Sequence, residues 1–326
     1  MSDRGERQEV KLMDKVRHYL RVHHYAYSTE QTYLEWIKQY IFFHKLKYPG
    51  DMGEKEIEEF LTYLAVERNV AASTQNQALN ALVFLYKKVL DIELGEKINA
   101  VRSKKPRKIP VAMTPEEVVR VIEQIPEQYQ LMVKLLYGCG LRLKECLRLR
   151  VMDLEFFYKT LTVRDGKGGK DRVTMLPESL IPALDKHLKN VYSIHQQDLK
   201  DGYGKVYLPN ALAVKYPNAP SEWKWQYLFP AGSIAEDPRT GIWRRHHFHD
   251  STLQKVVKEA VRKAGITKHV GCHTFRHSFA TTLLTKGTDI RTIQELLGHK
   301  NVETTMIYTH VTGQSKVGVR SPVDML

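Results

Sequence analysis

Between two well-patterned stretches lies a ten-residue segment, VRSKKPRKIP (101–110), that fits no regular element. It carries Arg102, Lys104, Lys105, Arg107 and Lys108, has no acidic residue, and is punctuated by Pro106 and Pro110. Proline fixes its own φ, lacks an amide hydrogen and pushes the residue before it towards extended backbone. The segment therefore reads as an extended basic linker, and the chain must fold as two bodies. These are a helical domain over 1–98 and a second domain over 111–326, joined by the linker over 99–110. A length of 326 residues agrees, against a prior of roughly 150 per domain.

Charge sharpens the division. Residues 1–100 hold 14 basic and 15 acidic side chains, the linker five and none, and the remainder 31 and 22. The net charge of +13 points to a polyanionic partner, and a basic linker can track a phosphate backbone while the flanking domains grip either side. Cys139, Cys146 and Cys272 are too few and too scattered for a disulfide framework and lack C-x-x-C zinc spacing. The charged start, MSDRGERQEVKLMDKVR, lacks the apolar stretch of a signal peptide, and no uncharged apolar run approaches ~18 residues. A soluble cytoplasmic protein with no membrane partner is expected.

Helical periodicity dominates the first hundred residues. Leu12, Val16 and Leu20 keep helical spacing; Ser28 and Thr29 offer an N-cap before a stripe of Tyr33, Ile37, Tyr40 and Ile41, which Pro49-Gly50 breaks. A third helix runs through EIEEFLTYLAV and a fourth starts near Ser73, together predicting a helical bundle. The second domain opens with an N-cap and N1 proline at Thr114-Pro115. Two strands, around EFFYKTLTVR and DRVTML, flank a glycine-rich hairpin connection, and a helix follows them. Residues 201–245 read as irregular and aromatic-rich, and the final third as helices again. The fold class is mainly α with a small β-hairpin or sheet.

Four places could carry chemistry. GLRLKE sets Arg142 and Glu145 three apart at a helix start; GKGGKDR puts Lys167 on the tight hairpin. HTFRH sets His273 and Arg276 at i and i+3 of a helix, and LGH places His299 ahead of a short helix with Tyr308. Read singly, each has an ordinary explanation, such as a surface ion pair, a solvated lysine or a core tyrosine. Read together they supply cations to clamp a phosphodiester, a proton donor and a hydroxyl nucleophile, without carboxylate clusters for metals. That is what metal-free phosphoryl transfer through a covalent intermediate requires.

The ordered set Arg142, Lys167, His273, Arg276, His299 and Tyr308 resembles the tyrosine recombinase family across the second domain, and the helical first domain is similar to that family's core-binding, SAM-like domain. The resemblance implies a two-domain clamp around DNA in which Tyr308 attacks the scissile phosphate, forming a 3′-phosphotyrosyl link. Arg142 and Arg276 would hold the non-bridging oxygens, with a hydrogen bond from His299. Lys167 would protonate the leaving 5′-oxygen, His273 would assist proton removal from the tyrosine, and Glu145 would orient a base or cation. It further implies no ATP, no cofactor and no metal, a homotetramer on DNA, and a C-terminal tail, 312–326, docking on a neighbouring subunit.

His273 follows Lys167 by 106 positions, more than in compact members, and the extra material over about 201–247 resembles the added segment of integron integrases. That likeness implies cassette recombination at folded single-stranded hairpins. Trp225, His246 and His247 are flat rings beside Arg244 and Arg245, suited to stacking on unpaired bases. The alternative for the tryptophan is packing of the insertion against the domain. Other readings of the whole chain are a duplex-acting phage-type integrase or chromosome-dimer resolvase, a type IB topoisomerase, and a non-enzymatic helical DNA-binding regulator.

Overall fold

A computed structural model describes residues 2–95, 110–164, 171–208 and 210–312. Lys104, Lys105, Arg107, Lys108, Lys167 and the tail beyond Thr312 lie outside the described residues. The chain divides into two compact units, Met1–Arg107 and Lys108–Leu326. Among the described residues it is mainly helical with two small antiparallel sheets.

The first unit is built from α1 (Ser2–Val22), α2 (Tyr27–Phe43), α3 (Glu54–Val66) and α4 (Ala72–Phe84), the last extended by a π-helical turn, Leu85–Leu90. Leu12, Val16 and Leu20 meet Ile37, Tyr40, Phe60, Leu64, Leu79 and Leu82 in one core. Ile37 and Tyr40 lie fully inside, and the Tyr40 and Tyr86 hydroxyls bond to each other at 3.0 Å, giving each buried phenol a polar partner. Two expectations need correction. Ser28 and Thr29 do not cap α2: it begins at Tyr27 after Ala26, whose side chain makes no cap bond, so both lie in the first turn. Nor does α2 run to Pro49, because Lys45 and Leu46 take positive φ (54° and 63°) just after Phe43.

The second unit starts with α5 (Pro115–Glu123), where Thr114 Oγ1 accepts from the Glu117 amide at 3.2 Å and Glu117 answers on the Thr114 amide at 2.8 Å. Then come α6 (Glu127–Gly138) and the short α7 (Leu143–Leu147). A three-stranded sheet follows, β1 (Leu154–Glu155), β2 (Thr160–Val163) and β3 (Arg172–Met175), in that order. EFFYKTLTVR is thus not one strand: it turns at 156–159, with Lys159 at φ 52°, and pairs Leu154 with Leu161 and Thr160 with Met175.

Next come α8 (Ile181–Lys200) and α9 (Asn210–Lys215). The segment expected to be irregular instead holds a hairpin, β4 (Pro230–Glu236) and β5 (Trp243–His247), bulged between Pro230 and Ile234. Its alternation was hidden because β4 has no buried position and the one buried residue of β5 is Arg244, so neither strand shows an apolar face. The chain closes with α10 (Asp250–Lys263), α11 (Cys272–Thr285), α12 (Ile290–Leu297) and α13 (Glu303–Thr312). Phe275 joins the main core of the unit, whereas Phe279, Ile293, Leu297 and Tyr308 form a second cluster that seats α12 and α13.

Candidate active site

The site begins at the turn leaving α6. Gly140 has φ +63°, a left-handed conformation that a Cβ makes costly, and a Cβ there would lie 2.5 Å from the Phe279 ring. The turn delivers Arg142 to the start of α7, where its amide donates to Glu145 Oε2 at 2.8 Å. Glu145 therefore caps its own helix while its carboxylate is spoken for by guanidiniums. Arg172 reaches it from β3 with two bonds, Nη1 to Oε1 at 3.0 Å and Nη2 to Oε2 at 2.6 Å. Arg142 Nη1 lies 2.5 Å from Oε1, and Arg276 Nη1 lies 3.6 Å from Oε2. Burial by itself would raise this carboxyl, but Arg172 and Arg142 outweigh it and hold it down to about 2. Three guanidiniums face one carboxylate, leaving a surplus of positive charge that suits an anionic substrate.

Arg276 is 1% exposed and pinned at both ends, donating from Nη1 to the Gly140 carbonyl (2.7 Å) and from Nη2 to the Leu297 carbonyl (2.5 Å). Burial, then repulsion from Arg142, pulls its pKa down to about 9, so it stays charged at neutral pH. Leu297 ends α12, and Gly298 turns the chain at φ +63° with Arg172 Cδ where a Cβ would sit. This turn sets His299, whose Nδ1 lies 2.9 Å from Thr305 Oγ1. Burial and then Arg276, Arg142 and Arg172 push the imidazole down to about 3, so it is neutral. Its ring lies nearly parallel to that of Tyr308, 6.3 Å away.

Tyr308 is 1% exposed, with its hydroxyl 3.0 Å from His277 Nδ1. Burial raises the phenol above its ordinary value, and Arg276 and Arg142 pull the other way. His277 is pushed down to about 4 by burial, then by His273 and Arg276. The structure thus brings together Arg142, Glu145, Arg276, His299 and Tyr308, with the exposed His273 one helical turn from His277 and their ring centres 4.5 Å apart. Glu145 is part of a mostly buried cluster rather than a simple surface ion pair.

Two residues at this site escaped sequence reading. Arg172 could have been found from alternation, because Thr174 on β3 points inward and a period of two sends Arg172 the same way. His277 follows His273 by four, the spacing of one helix face.

The insertion behaves differently from its expected role. Arg150 donates to the Trp225 carbonyl and sits 5.9 Å from that ring's centre and 4.6 Å from the Tyr227 ring's, so half-buried Trp225 belongs to a packed arginine–aromatic group. Arg244 is buried, donating to Thr240 Oγ1 at 2.9 Å beneath Tyr207. Arg245 grips Asp198 with bonds of 2.6 and 2.7 Å and the Ala231 carbonyl at 2.8 Å. Both guanidiniums expected on DNA are therefore engaged inside the protein. His246 and Trp243 on β5 are exposed; His247 is half-buried, its Nδ1 2.8 Å from the Phe248 carbonyl oxygen. Among the described residues, no group of three or more His, Cys, Asp or Glu is arranged to hold a metal ion, and no helix is long and apolar enough to cross a membrane.

The profile of the phage integrase family matches residues 110–315, and that of the phage integrase N-terminal SAM-like domain matches residues 12–96. An Escherichia coli protein named Integrase/recombinase is 48% identical over 317 residues, 97% of this chain and 94% of its own. Tyrosine recombinase XerA of Pyrococcus furiosus is 35% identical over 243 residues, 73% of this chain and 71% of its own. The solved Tn1549 transposon integrase, in complex with transposon right end DNA, shares the fold, with a TM-score of 0.61 at 16% identity over 94% of this chain and 98% of that one. This chain belongs to the phage integrase family of tyrosine recombinases, and its activity is site-specific recombination.

Proposed function

We propose that this recombinase moves gene cassettes at integron sites, including folded single-stranded hairpins, cleaving DNA with Tyr308 and holding the strand as a 3′-phosphotyrosyl link. The observation that carries the chemistry is the convergence of Arg142, Arg172 and Arg276 around Glu145 within the same unit as Tyr308. Arg142 and Arg276 stabilise charge developing on the phosphate, neutral His299 adds a hydrogen bond, and Lys167 protonates the leaving 5′-oxygen. Because the covalent link conserves the bond's free energy, the reaction needs neither ATP nor a metal. DNA is the partner, as it is for the solved Tn1549 integrase, and a homotetramer on DNA in the cytoplasm performs the exchange. The integron reading is supported by the inserted hairpin, which presents Trp243 and His246 to solvent as stacking surfaces for unpaired bases.

A duplex-acting recombinase is the second reading, favoured by the packing of Trp225, Arg244 and Arg245 within the insertion. One experiment addresses both levels. On a nicked suicide substrate, wild type gives a covalent protein–DNA band and Tyr308→Phe gives none while still binding; a band from the mutant removes the nucleophile. Stacking is worth ~1–3 kcal/mol per base, so Trp243→Ala, at the exposed ring, lowers affinity for a bulged hairpin roughly ten-fold or more and spares a perfect duplex. His246→Ala with His247→Ala follows in milder form. Equal losses on both substrates with a lowered melting temperature favour the duplex-acting reading.

A further inference from the structure

Proton removal from the attacking tyrosine was expected of His273, yet the nitrogen at the Tyr308 hydroxyl, 3.0 Å away, is Nδ1 of His277. We propose that His277 is a catalytic residue that accepts the Tyr308 proton as the phenol oxygen attacks phosphorus, an assignment that rests on Tyr308 being the nucleophile.

Geometry, protonation state and surroundings converge on it. The separation is within direct proton-transfer reach, so no water need intervene. His277 sits mid-helix on α11 directly after Arg276, whose guanidinium is fixed by two carbonyls, so the imidazole is carried on a rigid support. A base must be neutral before it acts, and burial with nearby His273 and Arg276 keeps this imidazole neutral through the physiological range. The tautomer with hydrogen on Nε2 leaves Nδ1 free to accept. Among the described residues, the charged and titratable groups around it are His273 and Arg276 on α11, His299 after α12 and Tyr308 on α13. A bound phosphate engaging Arg276 and Arg142 offsets the positive field that disfavours the imidazolium, so His277 gains basicity when substrate is in place.

The step balances. The Tyr308 O–H bond breaks with its proton passing to Nδ1, the O–P bond forms, and the P–O5′ bond breaks. The 5′-oxygen leaves with its electron pair and takes a proton from the acid, becoming a hydroxyl. On rejoining, the imidazolium returns its proton to the departing tyrosine. His273, its ring centre 4.5 Å from that of His277 and nearly perpendicular to it, packs edge-on against the base.

The test is single-turnover cleavage of a nicked suicide duplex by full-length wild type, His277→Gln and His273→Gln, with DNA binding measured in parallel. His277→Gln should bind normally and cleave 10²- to 10⁴-fold more slowly. Its rate should climb about ten-fold per pH unit towards tyrosine's own ionisation, where wild type is flat, and a packing defect gives no such slope. Cleavage within about three-fold of wild type, a deficit constant from pH 7 to 9.5, or the steep slope appearing in His273→Gln instead would overturn the assignment. Should the variant not fold, nitrogen-15 spectra of wild type decide. The Nε2–H tautomer at His277 supports the assignment and the Nδ1–H tautomer overturns it. A wild type that forms no covalent band at all strikes the nucleophile reading itself, which separates the two failures.

Discussion

Replacing Gly140 by alanine isolates how tightly the turn that carries Arg142 is built. The residue has φ +63°, and its new Cβ would meet Phe279 Cδ1 at 2.5 Å, Cε1 at 2.7 Å and Leu297 Cδ2 at 3.1 Å. The left-handed backbone costs roughly 1–2 kcal/mol for a residue with a Cβ. Forcing a methyl against a buried ring adds about 1–3 kcal/mol, because Phe279 and Leu297 both lie in a packed cluster and have nowhere to retreat. Gly140→Ala should therefore lose about 2–5 kcal/mol. Gly287→Ala is the matched control: the same unit, φ +87°, and nothing within 4 Å of the new atom, so only the backbone cost of roughly 1–2 kcal/mol applies. Urea unfolding of both variants beside wild type measures the difference. Since the Gly140 carbonyl also holds Arg276, single-turnover cleavage should fall in Gly140→Ala even under conditions where it is fully folded, and stay near wild type in Gly287→Ala. Equal destabilisation of the two variants, within about 0.5 kcal/mol, would refute the steric argument.

Two more outcomes follow from charge. Glu145 is held at about 2 against an ordinary 4.5, so its contribution is present above the ordinary value and lost as pH falls from there towards 2. At about 1.4 kcal/mol per unit this is about 3 kcal/mol, and the stability gap between wild type and Glu145→Gln should narrow on going from pH 7 to pH 3; a gap that does not change with pH would mean the guanidiniums are not what holds the carboxylate. In the linker, neutralising Lys104, Lys105, Arg107 and Lys108 together should weaken binding to any DNA and flatten the log–log salt dependence by up to about 0.9 per lost phosphate contact. An unchanged slope would show that those charges face solvent.

Local rules were sufficient wherever a side chain's role depends on its near neighbours. The apolar spacing of Leu12, Val16 and Leu20 buries one stripe of α1, and Thr114-Pro115 starts α5 because capping is a contact over three residues. Arg142, Arg276, His299 and Tyr308 were singled out by the resemblance of their ordered motifs to a known family, not by local rules, and the fold gathers them in one unit. Pairing between distant segments could not be read this way. Arg172 lies 27 positions from Glu145 and 124 from Leu296, and it touches both only because β3 is laid beside α7 and the end of α12. His277 faces Tyr308 rather than solvent because α13 folds back onto α11. In the insertion, Arg244 and Arg245 read as free cations until Asp198 and Thr240 are brought against them. A charge's function is set by what lies within a few ångströms of it, and for side chains far apart in sequence only the tertiary fold supplies those neighbours.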